Sequence, residues 1–178
     1  MGYTHHYKFN LNPSVNKDVY NQAFANAVTL FNLCRNYFPN DLKLCGLNGY
    51  GEPTINKEEV SFNGDASKDL HCESFILTMD NKVRFTKTHK LPYDIAVCCA
   101  LLCFKEMFGI EFEYSSDGHC MTDYDECSKD KKKSFEFEKK WIDAITIFKQ
   151  ALNDMFIEEY HSEVFNKKLK YLPKKKVI

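Results

Sequence analysis

The stretch from Ile95 to Phe108 is apolar on almost every side, and a helix of that kind must be buried on all faces. It follows at once on a polar segment, Lys87-Thr88-His89-Lys90-Leu91-Pro92-Tyr93-Asp94. Proline suits the first turn of a helix and Gly109 suits its end, so a buried helix is expected over 92–108. The start of a helix carries unpaired N–H groups and a partial positive charge. Lysines and a hydroxyl beside such an end suit a phosphate or a carboxylate. The plain alternative is a solvated turn.

The rest of the chain must wrap this helix. Tyr3 to Leu11 reads as an aromatic strand ending at Asn12-Pro13. A helix follows, with Asn12, Ser14 or Asn16 as its cap, and Asn36 to Asn40 closes it. Tyr20, Phe24, Ala27, Val28, Phe31 and Phe38 form its apolar face. Strands are expected over 42–47, 59–63, 73–79 and 110–114, with 83–85 as the end of a hairpin turning at Asp80-Asn81. Residues 48–53 and 64–69 read as loops. The fold class expected is α+β: a mainly antiparallel sheet with helices packed on one face, plus a long C-terminal helix.

That last helix is expected near 135–160, where Trp141, Ile145, Phe148, Leu152 and Met155 step by four and three. The narrow seam packs on the body or on a partner helix, including a second copy of the chain. Charge divides at the same place. Residues 1–127 carry 11 Lys/Arg against 17 Asp/Glu, and residues 128–178 carry 13 against 8. The expected organisation is a ligand-binding domain over 1–127, then a charged linker, the helix and a basic tail over 128–178. An acidic body argues against broad nucleic-acid binding. No apolar run reaches the roughly 18 residues of a membrane span. The eight cysteines contain no CxxC pair, and three lie in the apolar helix. Reduced, mostly buried thiols and a cytoplasmic location are expected.

Four polar clusters fall at strand ends or loops: Tyr3-Thr4-His5-His6, Asn63-Gly64-Asp65, Lys87 to Lys90, and Ser115-Ser116-Asp117-Gly118-His119. Their convergence would build a pocket. Lys87, Lys90 and Thr88 are the expected phosphate ligands. Tyr3, His5 and Tyr93 are expected to stack on a flat ring, and Thr4 and Ser116 to line the same site. Asn63, Asp65, Glu73 and Asp117 would read hydroxyls or ring nitrogens. Alternation sets Tyr3, His5 and Tyr7 on one face and Thr4 and His6 on the other, without saying which is inward.

For catalysis, His5, Glu73 and Asp117 are the candidate acids or bases. Ser115 or Ser116 with His119 or His89 is a further pairing, yet no Gly-x-Ser-x-Gly elbow accompanies it. Neither a Walker loop nor Gly-x-Gly-x-x-Gly is present. His71-Cys72 and His119-Cys120, with His5 and His6, offer zinc-type donors at no standard spacing. The acids Asp117, Asp123, Asp125 and Glu126 do not match a calcium loop. No metal and no cofactor are expected, and a binding protein is favoured over an enzyme.

Several pieces recur together in one family. Gly2 to His5, Gly51 to Pro53, Phe62 to Asp65, Glu73 to Phe75, Lys87-Thr88, Pro92 to Asp94 and Ser115 to Gly118 stand here in order. Over residues 1–118 the chain resembles a family of small phage and bacterial proteins of uncharacterised activity. Those open with Gly-Tyr-Thr-His-Tyr and carry Phe-Asn-Gly-Asp, Lys-Thr-x-x-x-Pro-Tyr-Asp and Ser-Ser-Asp-Gly motifs. The chain departs from that pattern at His6, His89 and Lys90, and in its C-terminal extension. The phage setting implies a binder that sequesters a host immune nucleotide signal. The expected function is therefore binding of a phosphorylated, nucleotide-like small molecule. The alternatives are a hydrolase or transferase acting on such a ligand, and a protein-interaction module using the C-terminal helix.

Overall fold

The computed structural model describes residues 3–117 and 139–161, with side chains of the last helix described over 140–156. Among the described residues, six strands and three α-helices follow one another in the order β1 (Thr4–Phe9), α1 (Lys17–Arg35), β2 (Thr54–Ile55), β3 (Glu59–Phe62), β4 (Phe75–Thr78), β5 (Arg84–Lys87), α2 (Asp94–Phe108), β6 (Phe112–Ser116) and α3 (Lys139–His161). The α+β class stands. The strands form two antiparallel three-stranded sheets, ordered β5-β1-β6 and β2-β3-β4.

Three local expectations need correction. Residues 42–47 make no strand; only Cys45 bridges to Asn63, and the short strand of that region is Thr54–Ile55. The 80–83 turn does not close a hairpin, because β5 pairs with β1 and β4 pairs with β3. The Arg84 guanidinium donates to Thr78 Oγ1 and Asp80 Oδ2 across that turn, fixing a passage between sheets. The buried helix starts at Asp94, two residues after Pro92.

Asn16 caps α1 by accepting from the Asp18 N–H. The face of α1 that periodicity picked out is the buried one: Tyr20, Phe24, Ala27, Val28 and Phe31, joined by Leu30 and Cys34. Helix α2 is buried nearly throughout. Helix α3 adds Trp141, Ala144 and Ala151 to the same core, with Ile145, Phe148, Leu152 and Met155 packed against it. The seam thus packs on the body. Tyr3, just before β1, and His5, Tyr7 and Phe9 within it point inward, while His6 is exposed and meets Phe85 on the outer face.

Two tyrosines tie the parts together. Tyr7 in β1 reaches the other sheet, with its hydroxyl 3.2 Å from the Ile76 carbonyl and 2.9 Å from Thr86 Oγ1. Tyr93 donates to the carbonyls of Glu73 at 2.8 Å and Lys87 at 3.2 Å. Burial pushes both phenols above the ordinary tyrosine value, and negative charge at Cys72, Asp94 and Glu73 adds to the rise at Tyr93. The folded state therefore favours neutral phenols. That contribution is complete below the unfolded value of about 10 and is lost as pH rises towards the folded values. Denaturation midpoints are expected to fall between pH 8 and pH 11; equal midpoints would contradict these two anchors.

Gly64 has a steric cause. A Cβ there would stand 1.9 Å from the Leu70 carbonyl oxygen, a backbone atom that cannot swing aside. Gly64→Ala is expected to cost about 1–3 kcal/mol in urea denaturation. A neutral result would show that the 64–70 loop is free to shift.

Candidate functional site

Strand register fixes the site's frame. Thr4 lies opposite Lys87, and His5 opposite both Thr86 and Ser116. The start of β1 therefore meets the ends of β5 and β6. The ring closes through backbone: Thr88 N–H donates to the Tyr3 carbonyl, and Asp117 N–H to the Thr4 carbonyl. Three of the four polar clusters, Tyr3 to His6, Lys87 to Lys90 and Ser115 to Asp117, thus come together at one sheet end.

Beneath that end lies a buried polar group. His5 Nε2 donates to Asp94 Oδ1 at 2.7 Å, and Thr88 Oγ1 donates to the same oxygen at 2.5 Å. All three residues are buried completely. With the carboxylate accepting, Nε2 is the nitrogen that carries the hydrogen. Asp94 is the first residue of α2, where an acid is favoured by the helix dipole. A built-in carboxylate therefore already occupies the start of α2, and the Thr88 hydroxyl is committed to it rather than to an incoming phosphate.

Helix α3 covers this group. The Trp141 indole N–H donates to the Tyr3 hydroxyl at 2.9 Å. Its ring meets His5 edge-on at 5.9 Å and stacks on Tyr114 at 5.8 Å. Lys140 Nζ donates to the carbonyls of Lys90 and Leu91. These carbonyls belong to a loop in which His89 and Lys90 both have positive φ, 51° and 59°. Residues with side chains adopt that conformation only at a cost, and surrounding contacts must hold it. The lysine, Thr88 and the Lys90 ammonium 5.0 Å from the Tyr3 ring centre supply such contacts. Lys87, His89 and Lys90 stay exposed on the outside of the loop.

The remaining expected residues divide. Glu73 is partly exposed, and one carboxylate oxygen accepts the Lys87 N–H. Asp117 is exposed and accepts the Thr4 N–H. Ser116 is half-buried beside it. Tyr93 has no exposed ring to stack on, since it is wholly buried. Asn63 is spent inside: its amide donates to the Cys72 carbonyl and Ser74 Oγ, and its oxygen accepts from Gly64 and Cys72. Asp65 caps the turn over Ala66–Lys68. Hydrogen bonds from Ser67, with Lys43 nearby, hold its carboxyl below the usual range. Asn63 and Asp65 thus organise their own loop. Gly118, His119, Cys120, Asp123, Asp125 and Glu126 lie outside the described residues.

A groove of about 610 Å³ opens elsewhere, past the end of α1, among Arg35, Asn36, Phe38, Asn40, Leu42 and Glu52. None of the candidate residues lines it. Beside the α2 start, Asp65, Pro92 and Tyr93 border a space of only about 10 Å³. The candidate residues therefore gather at the β1 end, on a surface rim above a sealed polar group, and not at this groove.

Sequence reasoning passes over Asp94, Lys140 and Trp141, which the structure brings to the β1 end. Asp94 had a visible signal, a single acid leading an apolar helix. Trp141 is the sole tryptophan, but nothing local links it to residue 5. Among the described residues, no helix is long and apolar enough to cross a membrane. Comparison with family models, curated proteins and solved structures finds no match for the chain.

Proposed function

We propose that the protein binds a phosphorylated, nucleotide-like small molecule at the joined ends of β1, β5 and β6, and holds it without turning it over. The observation that carries this reading is the loop of Lys87, His89 and Lys90. The backbone at His89 and Lys90 is held in a costly conformation while the Lys87 and Lys90 side chains stay exposed. Lys87 and Lys90 supply charge for the phosphate. Thr4, Ser116 and Asp117 border the same rim. Thr88 and His5 act from beneath by fixing the loop through Asp94. The resemblance to phage proteins supports a sequestering role against host nucleotide signalling.

Removing one cation by Lys87→Ala is expected to weaken nucleotide binding about tenfold or more, the scale of one charge-assisted hydrogen bond. Stability should stay within about 0.5 kcal/mol, because the side chain is exposed. Unchanged affinity in the folded variant would remove this seat.

A second reading, an enzyme acting on the same ligand, draws on the His5–Asp94 pair, a base held by an acid. That pair is sealed under Trp141, so substrate access would require α3 to move. Mass spectrometry of a nucleotide panel after incubation separates the readings. Intact ligand favours the binder; a converted ligand lost with His5→Gln favours the enzyme.

A further inference from the structure

We propose that His5, Asp94 and Cys98 form a buried site for one divalent transition ion of the zinc class. Residues 94 and 98 lie four apart on α2, which sets both side chains on one face of the helix. That face meets β1 at His5. The three ligand atoms lie within 4.8 Å of one another, and all three residues are fully buried.

The donor set is imidazole nitrogen, carboxylate oxygen and thiolate sulfur, the combination that suits zinc. In a tetrahedral site with bonds of about 2.0–2.3 Å, neighbouring ligand atoms stand roughly 3.3–3.7 Å apart. Side-chain shifts of about 1 Å close the triangle. Charge also closes: one carboxylate and one thiolate neutralise a divalent ion, so the apolar core receives no net charge.

An independent sign is incomplete hydrogen bonding. Asp94 Oδ2 and His5 Nδ1 are buried without a hydrogen-bond partner among the described residues. Buried polar atoms are rarely left so, because each costs free energy. An ion would give Asp94 Oδ2 the partner it lacks; with His5 Nε2 as the ligand, the ring hydrogen passes to Nδ1 and the Nε2–Asp94 hydrogen bond gives way to the metal bonds. Thr88, already bonded to Asp94 Oδ1, would orient the carboxylate from outside the ligand set. His5 binds as neutral imidazole, and the Cys98 thiol proton is released to solvent on binding. The three protein ligands leave a fourth position for water or another donor.

This inference does not depend on the nucleotide reading and is tested without any nucleotide. The full chain is treated with a chelator and titrated with Co²⁺, following absorbance and tryptophan fluorescence. Trp141 is the sole tryptophan, and its ring centre lies 5.9 Å from that of His5. The expected result is a thiolate-to-cobalt absorption band saturating at one equivalent, in step with quenching of Trp141 and reversed by Zn²⁺. Cys98→Ser is expected to abolish the band. Absence of a band, a band without Trp141 quenching, or a band that survives in folded Cys98→Ser overturns the proposal. The wild-type titration alone decides the matter if that variant does not fold.

Discussion

Trp141→Ala is expected to be among the most damaging single changes in the chain, with a loss of about 3–5 kcal/mol. The indole is fully buried, stacks on Tyr114 and donates to the Tyr3 hydroxyl. Truncation removes that packing and leaves a large cavity between α3 and the end of β1. The Tyr3 hydroxyl loses a donor as well. Against a typical domain stability of about 5–15 kcal/mol, this is a large fraction. Urea denaturation followed by circular dichroism measures it. A loss under about 1 kcal/mol would show that α3 does not pack as described, and that the C-terminal helix is free for a partner.

The second large effect is expected at Asp94. Asp94→Ala leaves the His5 N–H and the Thr88 hydroxyl without their common acceptor, both fully buried. Unpaired buried donors cost about 1–3 kcal/mol each, so a total of about 3–5 kcal/mol is expected with the cavity included. Asp94→Asn keeps one carbonyl oxygen for both donors and is expected to lose only about 1–2 kcal/mol. The contrast between the two variants matters more than either value. Equal losses would mean that negative charge at the start of α2, rather than the two hydrogen bonds, is what the fold requires.

The sequence made the periodic elements legible and the non-local ones obscure. The apolar face of α1 and the whole burial of α2 followed from spacing, because each helix carries its pattern within a few turns. Strand pairing had no such local record. Nothing near Asp80 says that the chain leaves one sheet there and joins another, since β5 finds its partner in Tyr7 to Thr4, about eighty residues earlier. The site shows the same division. Clusters at residues 3–6, 87–90 and 115–117 were visible as polar runs, and register brings them together. The inward direction of His5 was not visible, because a strand's alternation has two equivalent faces until something packs on one. Asn63 and Asp65 looked like ligand readers for a related reason. Buried polar side chains that satisfy their own loop have the same composition as those that face a ligand.

Central to the proposal is the rim of Lys87 and Lys90 as the seat of a phosphorylated small molecule. Its most direct test is a thermal-shift titration with linear and cyclic nucleotides, on the wild type and on Lys87→Ala/Lys90→Ala. Ligand at about one hundred times its dissociation constant stabilises the fold by about 2.7 kcal/mol, which corresponds to a rise of roughly 5–10 °C. The account predicts such a saturable rise for at least one nucleotide in the wild type, and its loss in the folded double variant. No shift for any nucleotide, or an equal shift in both proteins, would contradict it.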